Sequence, residues 1–478
     1  MKKIPIIIFS VFITLISFSQ TVNPIKGLVK TTTEASDFVK GPYLLYPADN
    51  TKMLIIWQTL STNTCTVDWG TDITYLSGSK PTVEYGTAHQ HKITLDGLTP
   101  GTKYFYRVTT NNADTKTSSF ISGAADTATV VSLYAYGDTR TYPITHNAVA
   151  KKILDEVNLN PKSQSLIVMS GDLVEKGDTE SSWTNEFFLP TYTSIQEMLS
   201  KLPYLASMGN HEGQGLLFGK YFPYPMYASG RYYYSFDYGP VHFTVLDQYT
   251  TYTVGSAQYT WLVNDLAASS KPWKIILDHE PGWTAYPTSG GHGNNTTVQT
   301  LIQPLCIKYG VQFIISGHNH FYSRASVGNV MHITSGGGGA PMYTPADRTN
   351  ILKMDKSYHF CKIDINKNVL KFTAERSDGT IIETFDYVNS NVNGVIDIKQ
   401  NKLSDSFSTY SKGNSIIIMN KLNLKGFYTV YDNWGQEITQ KELSETSNNV
   451  TLKAHGVYYI RIHAEDSFIV KKVIFGNI

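Results

Sequence analysis

Between residues 130 and 387 short apolar runs alternate with longer stretches of mixed character. VVSLYAYGD, SLIVMSGD, VHFTVLD, KIILDHE and VQFIISGH are apolar over consecutive positions and stop abruptly at polar ones. Consecutive apolar residues mark strands buried on both faces, unlike the alternation of a half-exposed strand. Between them NAVAKKILDEV, SSWTNEFFLPTYTSIQEML, SAQYTWLVNDLAA and TVQTLIQPLCIKYG read as helices. Strand and helix in turn predict an α/β domain, placed at 128–390. Its last part, YHFCKIDINKNVLKFTAERSDGTIIETFDY, returns to hairpins.

The flanks have a different period. From residue 41 to 125, MLIIWQT, CTVDWG, HKITLDGL and KYFYRVTT are short β-type runs separated by turn residues, which predicts a small sandwich. LDGLTPGTKYFYRV, a Gly/Pro turn followed by alternating aromatics, resembles the fibronectin type III pattern. After the polar break NSNVNG, residues 405–478 alternate strongly and predict a second small sandwich. At the other end, Lys2 and Lys3 precede an apolar stretch from Ile4 to Ile16 and then the small Ser17 and Ser19. That is the pattern of a signal peptide over 1–19, too short at its core for a comfortable membrane span. Residues 20–40 are polar and Thr-rich and read as a linker.

With 40 Lys+Arg against 39 Asp+Glu among 478 residues, no basic excess points to a nucleic-acid surface. Cys65, Cys306 and Cys361 are far apart and show no zinc spacing, so buried thiols are expected. Stability must then come from hydrophobic cores.

The chemistry lies where the buried runs stop. YAYGD ends at Asp138 and IVMSGD at Asp172; LASMGNHE brings Asn210, His211 and Glu212; IILDH ends at His279, and IISGHNH at His318 and His320. Ligands of open α/β sheets bind beyond the carboxyl ends of strands, so all five ends can serve one site. Taken singly, Gly-Asp is more often a turn, and a lone histidine is more often simply hydrogen-bonded. Together, two Asp, one Asn and three His suit two adjacent divalent ions, since carboxylates can bridge and imidazole suits Zn or Fe while carboxylate suits Mn.

The order GD, GD, GNHE, H, GHNH resembles the metallophosphoesterase superfamily, and the preceding β-sandwich narrows the resemblance to the purple acid phosphatase group. It covers roughly residues 41–387. It implies an α/β (α+β) metallophosphoesterase sandwich flanked by an N-terminal fibronectin III-like β-sandwich and a small C-terminal β-sandwich. It implies Asp172 as a bridging carboxylate and Asp138 with His320 on one ion. Asn210, His279 and His318 fall on the other, with His211 against the phosphoryl group. Two departures stand out. Glu175 occupies the position of the tyrosine that gives the purple members their colour, and GDTR puts Arg140 near the first ion, where guanidinium would bind phosphate rather than metal. One ligand of the first ion is thereby unassigned. His146 could fill it or could be a polar residue at a helix N-terminus. His292, in a Gly/Ser-rich loop after His279, is the counterpart of a histidine near the leaving group, or else an exposed loop residue. SGGGGAP at 335–341 either brings backbone to the site or is a plain flexible loop.

The expected function is hydrolysis of a small phosphate ester, acid phosphatase-like, with two divalent ions (Mn, Zn or Fe) activating water. Phosphodiester or nucleotide hydrolysis on the same metals is the alternative, and a non-enzymatic surface binder is a third reading. GVYYIRIHAEDSFIVKKVIF resembles the tail of type IX secretion sorting domains. With the leader it implies a secreted or cell-surface protein that meets the type IX machinery.

Overall fold

The computed structural model describes residues 36–227, 231–389 and 406–475, apart from 413–414, 433–435, 444–445, 453 and 465–466. The leader and nearly all of the expected linker lie outside the described residues. The linker's last positions are already strand, since β1 spans Phe38–Leu45.

Two sheets form the centre. In the first, β2 (Val130–Tyr136), β3 (Leu166–Met169) and β4 (Tyr204–Ala206) are parallel neighbours in that order. Three antiparallel strands, His359–Asn366, Val369–Arg376 and Ile381–Val388, extend it beyond β2. In the second, β5 (Val241–Val245), β6 (Trp273–Leu277), β7 (Phe313–Ser316) and β8 (Val330–Ser335) are parallel in that order. Antiparallel strands close both of its edges.

The apolar runs now have a physical cause. Ile275 and Leu277 of β6, with Phe313 and Ile315 of β7, join Leu133, Ala135, Ile167 and Leu205 of the first sheet in one buried cluster. Ile276 and Ile314, on the opposite face, join Leu262, Leu266 and Cys306 of the covering helices. A strand covered on both faces must be apolar at every position. The helices are α1 (Pro143–Leu159), α2 (Thr193–Lys201), α3 (Ala257–Ala268) and α4 (Gln303–Tyr309). Along α1, His146, Val149, Ala150, Ile153, Leu154 and Val157 recur at the helical period and are all buried. The Ser256 hydroxyl caps α3 by accepting from the Tyr259 N–H at 3.1 Å.

The small sandwich expected at the N-terminus is joined to the central body. One of its sheets is separate and holds Gly78–Thr82, Cys65–Gly70, Lys103–Thr110 and Thr115–Ile121. The other is continuous with the first central sheet, because β1 pairs in parallel with β4, Leu45 opposite Tyr204. Trp57, Val67, Tyr106 and Phe120 fill the space between. The C-terminal sandwich has sheets and a core of its own, built on Phe407, Ile416, Ile418, Val430, Ile460 and Ile462. The three cysteines are free and buried, as expected.

Candidate metal centre

Every metal-competent residue picked out at a strand end sits just past the C-terminal end of β2, β3, β4, β6 or β7. Asp138, Asp172 and Asn210 come from the first sheet, His279, His318 and His320 from the second. The carboxyl edges of the two sheets meet here, tied by the Gly137 N–H to the Ser335 carbonyl at 2.9 Å and by the Gly338 N–H to the Gly137 carbonyl at 2.9 Å.

The chain bends sharply to achieve this. Asp138, Asp172 and His318 have φ of 58°, 56° and 67°. A non-glycine residue there costs on the order of 1 kcal/mol or more, and such strain gathers at functional sites. Glycines beside them allow the close approach. A Cβ on Gly209 would stand 2.2 Å from Asp172 Oδ1, and one on Gly317 would stand 2.3 Å from Asp138 Oδ2. The loop 335–341 also resolves: it is mostly buried and presses against the site, with Gly336 against the Asn319 carbonyl and Asp138.

Asp138, Asp172 and His279 each present a ligand atom within 4.8 Å of the others, and all three are buried. His279 Nε2 lies 3.4 Å from Asp172 Oδ1 and 3.2 Å from both Asn210 Oδ1 and His318 Nδ1. His320 Nε2 is 3.5 Å from Asp138 Oδ1. The rings are aimed by what holds their other nitrogens. His279 Nδ1 donates to the Ser170 carbonyl at 2.6 Å, and His320 Nδ1 to the Pro341 carbonyl at 2.6 Å. Because a carbonyl only accepts, Nδ1 must carry the proton, which leaves each Nε2 to face the site, the usual second layer of a metal histidine.

The electrostatics show what the site lacks. Burial pushes the Asp138 carboxyl up, and the Asp172 charge adds to the push. Burial would also raise Asp172, but His279 and His211 outweigh it and hold it low. His279 shows the reverse: burial favours neutral imidazole, yet Asp172 and Asp138 raise it above its ordinary value. Burial, with the neighbouring His279 and His292, lowers His318 to about 2. The buried acid pair is thus met by a raised His279 imidazole and by an Asp138 carboxyl that resists ionising, a shortage of positive charge that a cation fills better. The donor set, the aimed lone pairs and this need for positive charge all fit divalent metal.

The remaining expected residues divide. His211 belongs to the site: its N–H donates to Asp172 Oδ1 at 3.0 Å, its Nδ1 to the Glu175 carbonyl at 2.7 Å, and its Nε2 stands 3.9 Å from Asp172 Oδ2. His292 is brought over it, exposed, with its ring stacked on His318 at 3.7 Å between centroids. Its backbone is locked to Asn319 by reciprocal bonds of 3.0 and 2.9 Å. Arg140 reaches the site through its guanidinium, which contacts Glu175, Asp172 and His320.

His146 is a correction. It lies on the buried face of α1, with Nε2 3.1 Å from the Tyr136 hydroxyl and its ring against Phe187. Its contacts are core aromatics, and burial lowers it to about 3. It is a core histidine and does not complete the first ion's ligands.

One role and one residue escaped the sequence reading, which groups Glu212 with the metal-competent residues. Glu212 is fully buried, and its carboxylate accepts from the N–H groups of Asp172, Leu173 and Gly209 at 2.9, 2.8 and 2.6 Å. It fixes the loop that carries the bridging candidate. The signal was its place three residues after Gly209, the spacing of a capping pair. Tyr343 stacks on His320 at 4.3 Å, from a loop whose sequence offers no cue.

Residues 143–322 match the family model described as calcineurin-like phosphoesterase, and residues 39–122 that of the purple acid phosphatase N-terminal domain. Purple acid phosphatase 23 of Arabidopsis thaliana is 25% identical over 308 residues, 58% of this chain and 66% of the relative. Fe(3+)-Zn(2+) purple acid phosphatase 12 of the same plant is 23% identical over 266 residues, 52% of this chain and 55% of the relative. The chain thus spans about half to two thirds of the length of these curated relatives. The purple acid phosphatase PPD1 of yellow lupin (Lupinus luteus) shares the fold, with a TM-score of 0.61 at 20% identity over 73% of this chain and 74% of its own.

Proposed function

We propose that this chain, which carries a calcineurin-like metallophosphoesterase domain behind a purple acid phosphatase N-terminal domain, hydrolyses small phosphate monoesters with the help of two divalent ions. The observation that carries this reading is the buried Asp138–Asp172–His279 cluster at the meeting of the strand ends. Asp172 lies between the two donor sets and would serve both ions. Asp138 and His320 would hold the first, and Asn210, His279 and His318 the second. Mn, Zn or Fe would suit this mixture of carboxylate and imidazole, and a relative named for iron and zinc supports two ions. When bound, such ions clamp a phosphoryl group and acidify water.

The chain's own groups would do the rest. His211 is oriented through Nδ1 by the Glu175 carbonyl, so its Nε2 is free to face a phosphoryl oxygen beside Asp172. Arg140 is the other donor on that side, and its fork matches a phosphate edge. His292, stacked on His318 and exposed, would give a proton to the departing alkoxide. Export rests on the sequence alone: the basic, then apolar leader and the tail that resembles a type IX sorting domain support a secreted or cell-surface enzyme.

The test is metal content together with turnover of an aryl monoester and a diester. Two ions per chain and preferred monoester turnover are expected. Asp172→Ala should lower turnover by about a hundred- to a thousandfold, the scale of losing one group that stabilises the transition state, since it removes the shared ligand. Near-wild-type turnover by the metal-loaded variant would sink the mechanism. Preferred diester turnover would move the substrate class, and bound metal without turnover of either ester would favour a binder.

A further inference from the structure

Arg140 stands in an unusual place. It is 8% exposed, and its guanidinium spans two proposed ligands of the first ion. Nη2 is 3.4 Å from His320 Nε2, the nitrogen whose lone pair faces the site because Nδ1 is committed to Pro341. Nε is 3.3 Å from Asp172 Oδ2, yet it is a buried donor without a hydrogen bond, so charge and not alignment holds it there. Nη1 is the well-bonded corner: it donates to Glu175 Oε2, which also accepts from the Thr141 hydroxyl. Beneath, Glu186 Oε2 accepts from the backbone N–H groups of Thr141 and Glu175 at 2.9 and 2.8 Å. The backbone that carries the pair is therefore braced, while the Glu175 side chain remains 39% exposed.

These contacts and metal ligation exclude each other. His320 Nε2 has one lone pair and cannot face both a guanidinium and a divalent cation, and a guanidinium 3.3 Å from Asp172 Oδ2 would repel an ion held by that oxygen. The second donor set, Asn210, His279 and His318, has no such competitor among the described residues.

We propose that Arg140 is a place-holder for the first ion: loading that ion displaces its guanidinium, so the two ions bind in separated steps. Arg140 swings outward on its braced backbone toward the exposed side of Glu175, where it is free to meet a phosphoryl group. The guanidinium thus neutralises Asp172 until metal arrives and serves substrate afterwards. This rests on the two-ion reading above.

The test uses the full chain, stripped with chelator and dialysed against buffered free Mn²⁺, with bound metal measured directly and Mn²⁺ spin coupling read by EPR. The wild type should take up one ion first, without a coupled signal, and a second at clearly higher free Mn²⁺, with one. Arg140→Ala and the bulkier Arg140→Gln should bring the second step down by a factor within the roughly 5- to 150-fold range of such couplings. Arg140→Lys should keep the steps apart. Having both neutral variants guards against one that fails to fold. Two ions loading together in the wild type, or a second step that neither neutral variant lowers, would overturn the proposal. No ion bound by any form would instead overturn the metalloenzyme reading beneath it.

Discussion

At the scale of single residues, function turns on what faces each histidine. His279 and His320 are aimed by backbone carbonyls, whereas the His292 ring is held by stacking on His318 and an edge contact with Tyr343 and has its backbone tied to Asn319. A ring placed this way at the open side can move with the leaving group without disturbing the ligands. His292→Ala should therefore leave bound metal unchanged and lower turnover most for alkyl phosphates, whose leaving groups need a proton. An activated aryl phosphate should lose little. Equal losses on both, in a leaving-group series, would remove the acid role. Colour is a second consequence at this scale. Glu175 stands where the resemblance places a tyrosine, and the hydroxyls of Tyr134 and Tyr136 are engaged with Ser163 and His146 in the core. The oxidised, metal-loaded protein should show no strong visible charge-transfer band. An absorption spectrum decides it, and a band would point to Tyr343, the tyrosine that stacks on His320.

At the scale of elements, the grouping of the proposed ligands at one sheet edge was legible because strands buried on both faces end abruptly, and the polar residue after such an end has nowhere to go but that edge. His146 was misplaced for the same kind of reason. It precedes Val149, Ala150 and Ile153 at helical spacing, so the period that marks the apolar face of α1 also marked this histidine as buried. Arg140 and Glu175 could not be paired from sequence, since they meet through the loops after β2 and β3, 35 positions apart. The join of β1 to β4 was equally hidden, because alternation tells which face is buried but not which edge finds a partner. A link between elements also predicts a pH response away from the site. His242 of β5 lies between Asp237 of the edge strand, at 2.7 Å, and Asp265 of α3, at 3.0 Å. Burial alone would lower this imidazole, but the two carboxylates outweigh it and raise it to about 9. A pKa raised above the ordinary 6.5 means stability fully present below pH 6.5 and lost as pH rises through about 9. Thermal unfolding should show that decline, and His242→Gln should flatten it while lowering stability below pH 6.5. An unchanged slope in the variant would assign the pH response elsewhere.

At the scale of the whole molecule, the described chain holds cores of different reach. The cluster between the central sheets takes in Tyr43, Leu45 and Ile56 of the N-terminal sandwich as well as the strands that carry the ligands. With the β1–β4 pairing, this makes the N-terminal sandwich part of the body that carries the candidate site. The C-terminal sandwich is different. Its buried residues form a cluster of their own, its sheets contain only its own strands, and it supplies none of the proposed ligands. Removing it should cost the catalytic body little, whereas removing residues 38–122 should expose the edge of β4, where Tyr204 pairs with Leu45. A chain ending at Asn389 should therefore fold, bind the same metal, and turn over substrate within about twofold of full length, because the cleft that Tyr431 and Tyr459 line with Trp283 and Arg348 includes none of the proposed ligands. If the tail is the sorting signal that its sequence resembles, the same truncation should leave the protein in the periplasm of its host, active but not released. Cell fractionation with activity in each fraction reads both halves at once. Loss of activity in the purified truncated chain would make the C-terminal sandwich part of the enzyme, and normal arrival at the surface or in the medium would remove its sorting role.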